Sequence, residues 1–453
     1  MLNFLKVLYI IKIEMFETVK TKGGEEERQR NEKQENESVL NDHDIDKGGL
    51  GMRRKVSFIV LAILLTVLSA CGNSAIQSTA QKEEEAPKDD GTIKIGALLP
   101  KSGVYASLGK NLEMGMELYF ESIGWKVAGK DIQLIVEDTE ADPQVGLRKA
   151  RKLIDQDQVH LLTGTVSTAV AYAIRDEVDK KKMPFLVSHA GGNDLTRSKR
   201  SDYIWRSSFS SWQIGHSLGQ WAYDHIGKTV YIAAADYAFG REVSAAFKEA
   251  YTAAGGKVVG EVYPPLENND YSSYLTTIKN AKADAVYAFF AGSDAVKFVQ
   301  QYEQFGLKKD KKLIGSGWLV SEDVRGQQGN AGVGTVSSIF WEYHLDTKEN
   351  KEFVSAFEKT YNARPTIEAL EGYDAARIIA EALEKTGGDA SDPDKVVEAI
   401  SNVQFVSPRG PIQFDKETHH IIQNMYITET ILVNGKAENK VIEVVEKVKD
   451  PGQ

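Results

Sequence analysis

Residues 159–168, VHLLTGTVST, decide the fold. Val159–Thr163 are suited to a buried strand, the run breaks at Gly164, and Ala169–Lys180 continues at helical spacing. A strand that turns through glycine and hydroxyl residues into a helix is one step of an alternating β-α chain. The same step recurs on either side. Ile93–Leu99 (IKIGALL) and Ile132–Asp138 (IQLIVED) are strands before it, and Pro184–Ser188 is one after it. Helices are predicted at Asn111–Ile123 and Pro143–Gln156, the latter starting behind Asp142. Short apolar strands separated by helices imply a parallel sheet covered on both faces.

The alternation then begins again. Strands are expected at Thr229–Ala234, Lys257–Tyr263, Ala285–Phe290 and Leu313–Ser316, with helices at Arg241–Ala254, Tyr271–Asn280 and Ala295–Phe305 between them. Further helices fall at Lys351–Tyr361 and Ile367–Lys385, then a short strand at Ile412–Phe414 and a strand pair at Asn424–Leu432 and Lys440–Glu446. The only repeat is the lobe itself. The fold class is therefore α/β, two doubly wound parallel-sheet lobes. In such sheets ligands lie beyond the carboxyl ends of the strands, beside helix N-termini, and two lobes facing each other there form a cleft that hinges shut.

Composition agrees with that reading. The 453 residues suffice for two cores, 42% are hydrophobic and 26% charged, and the net charge is −10. No dense basic stripe interleaved with aromatics occurs, so nucleic acid is not an expected partner.

The single cysteine, Cys71, takes its meaning from its neighbours. Met52-Arg53-Arg54-Lys55 is a basic start, and Val56–Leu68 is an apolar run too short to favour a spanning helix. Leu68-Ser69-Ala70-Cys71 then matches a bacterial lipobox, whose cysteine thiol receives diacylglycerol. Residues 52–71 thus read as a lipoprotein signal peptide, and residues 72–91 as a polar tether with a reach of about 25 Å. Residues 1–51 precede the basic start and hold the charged stretch Glu25–Asp46; they read as a gene-model extension or a disordered segment. Lys47-Gly48-Gly49 can be encoded by AAAGGAGG, a ribosome-binding sequence correctly spaced from Met52. The location implied is extracytoplasmic, lipid-anchored on the outer face of a membrane, at a Gram-positive surface or in a periplasm.

The chain lacks GxSxG, HExxH, GxxxxGK[ST] and GxGxxG motifs. It is read as no enzyme, with no metal and no cofactor. His419-His420 read as solvated turn residues. The polar strand ends point to binding: Gly164–Thr168 opens a helix whose amides and hydroxyls suit an anion, with plain N-capping as the alternative for Ser167 and Thr168. Ser188-His189-Ala190-Gly191-Gly192 ends the next strand, its glycines allowing close approach of backbone to a ligand, with His189 read as a turn residue.

Six stretches carry a resemblance: 95–109 (IGALLPKSGVYASLG), 132–143 (IQLIVEDTEADP), 150–168 (ARKLIDQDQVHLLTGTVST), 184–192 (PFLVSHAGG), 203–210 (YIWRSSFS) and 371–375 (EGYDA). In order and spacing they resemble the type I periplasmic binding proteins, in the leucine/isoleucine/valine-binding branch. The resemblance implies a Venus-flytrap fold with three crossings, lobe one spanning 92–208 and 342–410 and lobe two spanning 209–341 and 411–453. It places a ligand carboxylate on Ser167 and Thr168, further contacts on Ala190, Gly191 and Gly192, and a cleft wall at Tyr105. In lobe two DYAFG (236–240) makes Tyr237 and Phe239 candidate walls, beside Trp212, Phe290 and Trp318. Relatives that bind amino acids cap the ammonium with lobe-two carboxylates, whereas Ser210-Ser211-Trp212 and Ser316-Gly317-Trp318 here contain no acid. Asp236 or Asp294 would have to substitute. The function implied is delivery of a small carboxylate, an amino acid or an aromatic acid, by a monomer to the permease and ATPase of an ABC importer. Alternatives are a ligand-sensing lipoprotein coupled to a membrane receptor, or a surface hydrolase.

Overall fold

A computed structural model describes residues 91–452. The extension 1–51, the signal peptide with Cys71 and the tether as far as residue 90 lie outside the described residues. Among the described residues no helix is long and apolar enough to cross a membrane.

The first sheet runs Lys130–Asp138, Ile93–Leu99, Leu161–Gly164, Phe185–Val187, Ile204–Arg206, all parallel, with Lys126–Val127 added antiparallel at its edge. Numbering only the parallel strands by their place in the chain, the order is 2-1-3-4-5. The second sheet repeats it: Lys257–Val262, Thr229–Ala234, Ala285–Phe289, Lys312–Ser316, Val336–Ile339. Central strands such as Ala285–Phe289 are buried along their whole length, because helices cover both faces.

One strand belongs to both sheets. His420–Val433 pairs with Arg206 of the first sheet through His420, and then runs antiparallel to Val336–Ile339 of the second. Its hairpin partner Lys436–Val448 completes the second sheet. The expected lobe boundary at 411 falls inside the strand Gly410–Asp415, which pairs with Gln404–Ser407 and with the start of His420–Val433.

This geometry overturns the reading of His419-His420 as solvated. Both are buried, 7% and 1% exposed: His419 ends the turn, and His420 opens the strand that joins the sheets. His419 stacks on Trp205 at 4.1 Å between ring centres. His420 lies between Arg206 Nε at 3.0 Å and Gln213 Oε1 at 2.8 Å, and burial together with the Arg206 charge holds its pKa well below the ordinary histidine value.

The helix Ile367–Lys385 returns to the first lobe and lies against Ala106–Ser122. The two backbones touch at glycines: a Cβ on Gly115 would stand 1.9 Å from the Ala369 carbonyl oxygen, and one on Gly372 2.0 Å from that of Leu112. Tyr361, just before this helix, donates its hydroxyl to Met114 O at 2.9 Å. The close approach fixes the helix start, with Glu368 and Glu371, beneath the strand ends.

Candidate binding site

In an order 2-1-3-4-5 the chain leaves strands one and three in opposite directions, and the gap between their carboxyl ends is the natural ligand site. In the first lobe the segments after those strands carry Tyr105 and Leu108, and Val166 and Thr168. In the second they carry Tyr237 and Phe239, and Ala291. All seven line one cavity, with His189, Gly191, Phe209, Phe289 and Trp318. Its empty space, mouth and adjoining open solvent included, is about 320 Å³.

The first-lobe wall is polar and built on a strained turn. Gly164 and Thr165 have φ of +103° and +65°, the latter costly for a β-branched residue. The turn is held by Thr165 N–H to Leu98 O at 2.7 Å, and it accepts from Ser188 N–H at 3.1 Å and Ala190 N–H at 2.9 Å. It delivers Ser167 as the extended residue before helix Thr168–Lys181. Ser167 makes no side-chain cap bond, so capping does not account for its hydroxyl. The first amide to find an intrahelical acceptor is Ala171, on Ser167 O at 3.1 Å. The amides of Thr168, Ala169 and Val170 are left as the positive end of the helix.

His189, read from the sequence as a turn residue and not a contact, is 5% exposed and lines the cavity. Its Nδ1 bonds Glu371 Oε2 at 2.5 Å, and its ring meets the edges of Phe209 and Trp318 at 5.4 and 5.7 Å. Burial lowers its pKa, but the Glu371 carboxylate outweighs burial and the net direction is up. Gly191 is needed as glycine: a Cβ there would stand 2.4 Å from the Phe209 ring and 2.7 Å from Phe239.

The second-lobe wall is aromatic. Phe239 packs edge-on to Phe289 at 4.8 Å and to Trp318 at 5.8 Å, and Phe209 lies 4.6 Å from Trp318. The Trp318 indole donates to Glu368 Oε1 at 3.0 Å, and Thr366 Oγ1 donates to Glu368 Oε2 at 2.8 Å. Burial, with the Asp323 charge, pushes the Glu368 carboxyl up to about 7. Tyr105 and Tyr237, one from each lobe, share a hydroxyl hydrogen bond with ring centres 6.3 Å apart, and burial raises both phenols.

Of the residues expected from sequence, Tyr105, Thr168, Gly191, Tyr237, Phe239 and Trp318 meet at this cavity. Ser167, Ala190 and Gly192 are not among its lining residues; they are chain neighbours of Thr168, His189 and Gly191, which are. Trp212 does not reach it; its ring stacks on His216 at 4.0 Å and its amide is held by Asn193 Oδ1. Asp294 is 2% exposed but accepts from Glu267 N–H behind the lining, and Asp236 is exposed and paired with Arg241. Phe290 packs into the core against Phe298 at 4.3 Å, while its neighbour Phe289, on the opposite side of the strand, lines the cavity. His189, Phe209 and Phe289 were missed as contacts. The signal for His189 was its place inside the very stretch, SHAGG, that suggested backbone contacts.

Residues 92–436 match the profile of a family described as periplasmic binding protein. Over 366 residues the chain is 32% identical to a Leu/Ile/Val-binding protein homolog 6 from Brucella melitensis, covering 80% of this chain and 93% of that one. A solute-binding protein of an ABC transporter from Rhodopseudomonas palustris BisB5, solved with 3,4-dihydroxybenzoic acid, superposes with a TM-score of 0.76 at 37% identity, covering 80% of this chain and 99% of that chain. Another from Rhodopseudomonas palustris HaA2, solved with p-hydroxybenzoic acid, does so with a TM-score of 0.76 at 35% identity over the same shares. The chain belongs to the periplasmic binding protein family, in its leucine/isoleucine/valine-binding branch of type I fold. Members of this family are extracytoplasmic solute-binding proteins and not enzymes.

Proposed function

We propose that the protein is a monomeric, lipid-anchored receptor that closes on a small aromatic or hydrophobic carboxylate and presents it to the permease and ATPase of an ABC importer. One observation carries this reading. The cavity sets a helix N-terminus against five aromatic side chains from the second lobe, and no carboxylate is among its lining residues. A buried ammonium without a partner loses several kcal/mol of hydration, more than one hydrogen bond returns, while an aromatic ring loses nothing there. The benzoic acids bound in the two Rhodopseudomonas palustris structures support an aromatic acid; the name of the Brucella melitensis relative supports a branched aliphatic one. Residues Ser167 and Thr168 take the carboxylate, Tyr105 and Tyr237 close the mouth, and Phe239 and Trp318 hold the ring.

Calorimetric titration of matched pairs tests this: 4-hydroxybenzoate, 3-phenylpropionate against phenylalanine, and 4-methylpentanoate against leucine. Each acid is expected to bind at least as tightly as its amino-acid partner. Strong binding of amino acids alone would replace the reading with an ordinary amino-acid receptor. The anchor is tested separately by intact mass, expected to show acylation at Cys71; a mature protein with Cys71 as an unmodified internal thiol refutes it.

A further inference from the structure

We propose that His189, braced by Glu371, is the fixed counter-charge of the ligand's carboxylate, and that this pair makes the site reject ligands carrying an ammonium. The inference rests on the carboxylate reading above and adds the residue that enforces it. His189 is 95% buried by its 5% exposure, lies in the cavity lining, and is held through Nδ1 on Glu371 Oε2. A carboxylate partner at Nδ1 fixes the ring orientation and leaves Nε2 as the nitrogen available to the cavity. Among the described residues Nε2 has no hydrogen-bond partner.

The groups around the imidazole decide its charge. Helix Ile367–Lys385 presents Glu371 in contact and Glu368 one turn earlier, both favouring the imidazolium. Beyond Glu371, Arg409 pairs with Asp374 at 2.9 Å; burial raises the Glu371 carboxyl, and His189 and then Arg409 oppose that rise. Asp323 acts on Glu368 rather than on the ring. From the other elements come only neutral groups: the Phe209 and Trp318 rings, the Thr168 hydroxyl, and the phenols of Tyr105 and Tyr237, which burial holds protonated. Asp294 is not among the lining residues; its charge raises those phenols and is not among the causes that shift His189. His189 is thus the one basic side chain among the residues that line the cavity, held in place and with its pKa raised. A ligand carboxylate placed between Nε2–H and the amides at Thr168 gains a charge-assisted bond, and an ammonium there meets repulsion.

The experiment uses His189→Gln and Glu371→Gln in the otherwise intact protein, with 4-hydroxybenzoate and its uncharged analogue 4-hydroxybenzamide as probes. His189→Gln is expected to weaken the acid by about tenfold or more while leaving the amide within about twofold. Acid affinity of the wild type is expected to fall as pH rises through the raised histidine pKa, and His189→Gln to flatten that limb. Glu371→Gln still accepts from Nδ1–H but removes the bracing charge, so the limb moves to lower pH; this variant carries the test if His189→Gln does not fold. Equal acid affinity and an unchanged pH limb in the variants overturn the role of His189 while leaving the carboxylate reading in place. A wild type that binds neither this acid nor the other acids removes the reading itself.

Discussion

The two walls of the cavity come from lobes of the same topology, yet they differ in kind. The first-lobe wall offers a strained Gly164-Thr165 turn, the open end of helix Thr168–Lys181 and the His189–Glu371 pair. The second-lobe wall offers Phe209, Tyr237, Phe239, Phe289 and Trp318. Both walls stand at the same place in the strand order, so topology supplies the location and side chains alone supply the chemistry. One wall is suited to charge and the other to an apolar body. The division is not complete, because Trp318 of the second lobe stands on Glu368 of the first.

That dependence gives the largest expected effect. Trp318→Ala removes a buried ring and leaves Glu368 without its indole donor, so unfolding free energy should drop by about 3–5 kcal/mol. Affinity for an aromatic acid should fall by about 2 kcal/mol, roughly thirtyfold. Thermal or denaturant unfolding and calorimetry check the two halves; an aromatic ligand bound as tightly as before would show that the ring does not read the ligand.

Next is the pH response of the shared contact. The Glu368 carboxyl is raised from 4.5 to about 7 in the folded protein. Its protonated form is therefore favoured by folding, a contribution complete below about pH 4.5 and lost as pH rises toward 7. The loss amounts to about 3 kcal/mol over that window. Glu368→Gln keeps an acceptor for Trp318 and does not titrate, so its stability should decline less than that of the wild type between pH 5 and 7. Parallel pH profiles would place the Glu368 proton elsewhere.

The polar wall is tested by Ser167→Ala and Thr168→Ala. Each should weaken a carboxylate ligand by about tenfold, one charge-assisted bond of about 1.5 kcal/mol, with little change in stability since Ser167 makes no side-chain cap bond. Unchanged affinity in both single variants and the double variant would remove the helix start from the site. The smallest effects should come from residues outside both walls: Trp212→Ala and Asp236→Asn should leave affinity within about twofold. A larger loss from either would mean that the cleft extends beyond the lining described.

Much of this was legible beforehand where a local rule governs. Apolar strands, the Asp142 cap and the hydroxyl-rich turn at 164–168 depend on neighbours in sequence, and they fold as their spacing predicts. The helix Ser211–His225 was not legible. Gly215 and Gly219 look like breakers, and their reason is tertiary: a Cβ on Gly215 would stand 2.3 Å from Val243 O of the adjoining helix. Its Ser210–Gln213 capping box was the local signal passed over. His189 was undervalued for the same reason, since its partner Glu371 is 182 residues away.

By itself the sequence determined the alternation of strands and helices, its restart in a second lobe, and the glycine and hydroxyl turns at the strand ends. These are properties of short windows, set by periodicity and backbone chemistry. Only the tertiary structure decided which aromatic of the pair Phe289 and Phe290 faces the cavity, that Trp212 and Asp294 stand apart from it, and that His189, Glu371, Trp318 and Glu368 form one connected group. Contacts of that kind depend on how two sheets and a returning helix are set against each other, and burial then shifts the pKa values through groups that no local window contains.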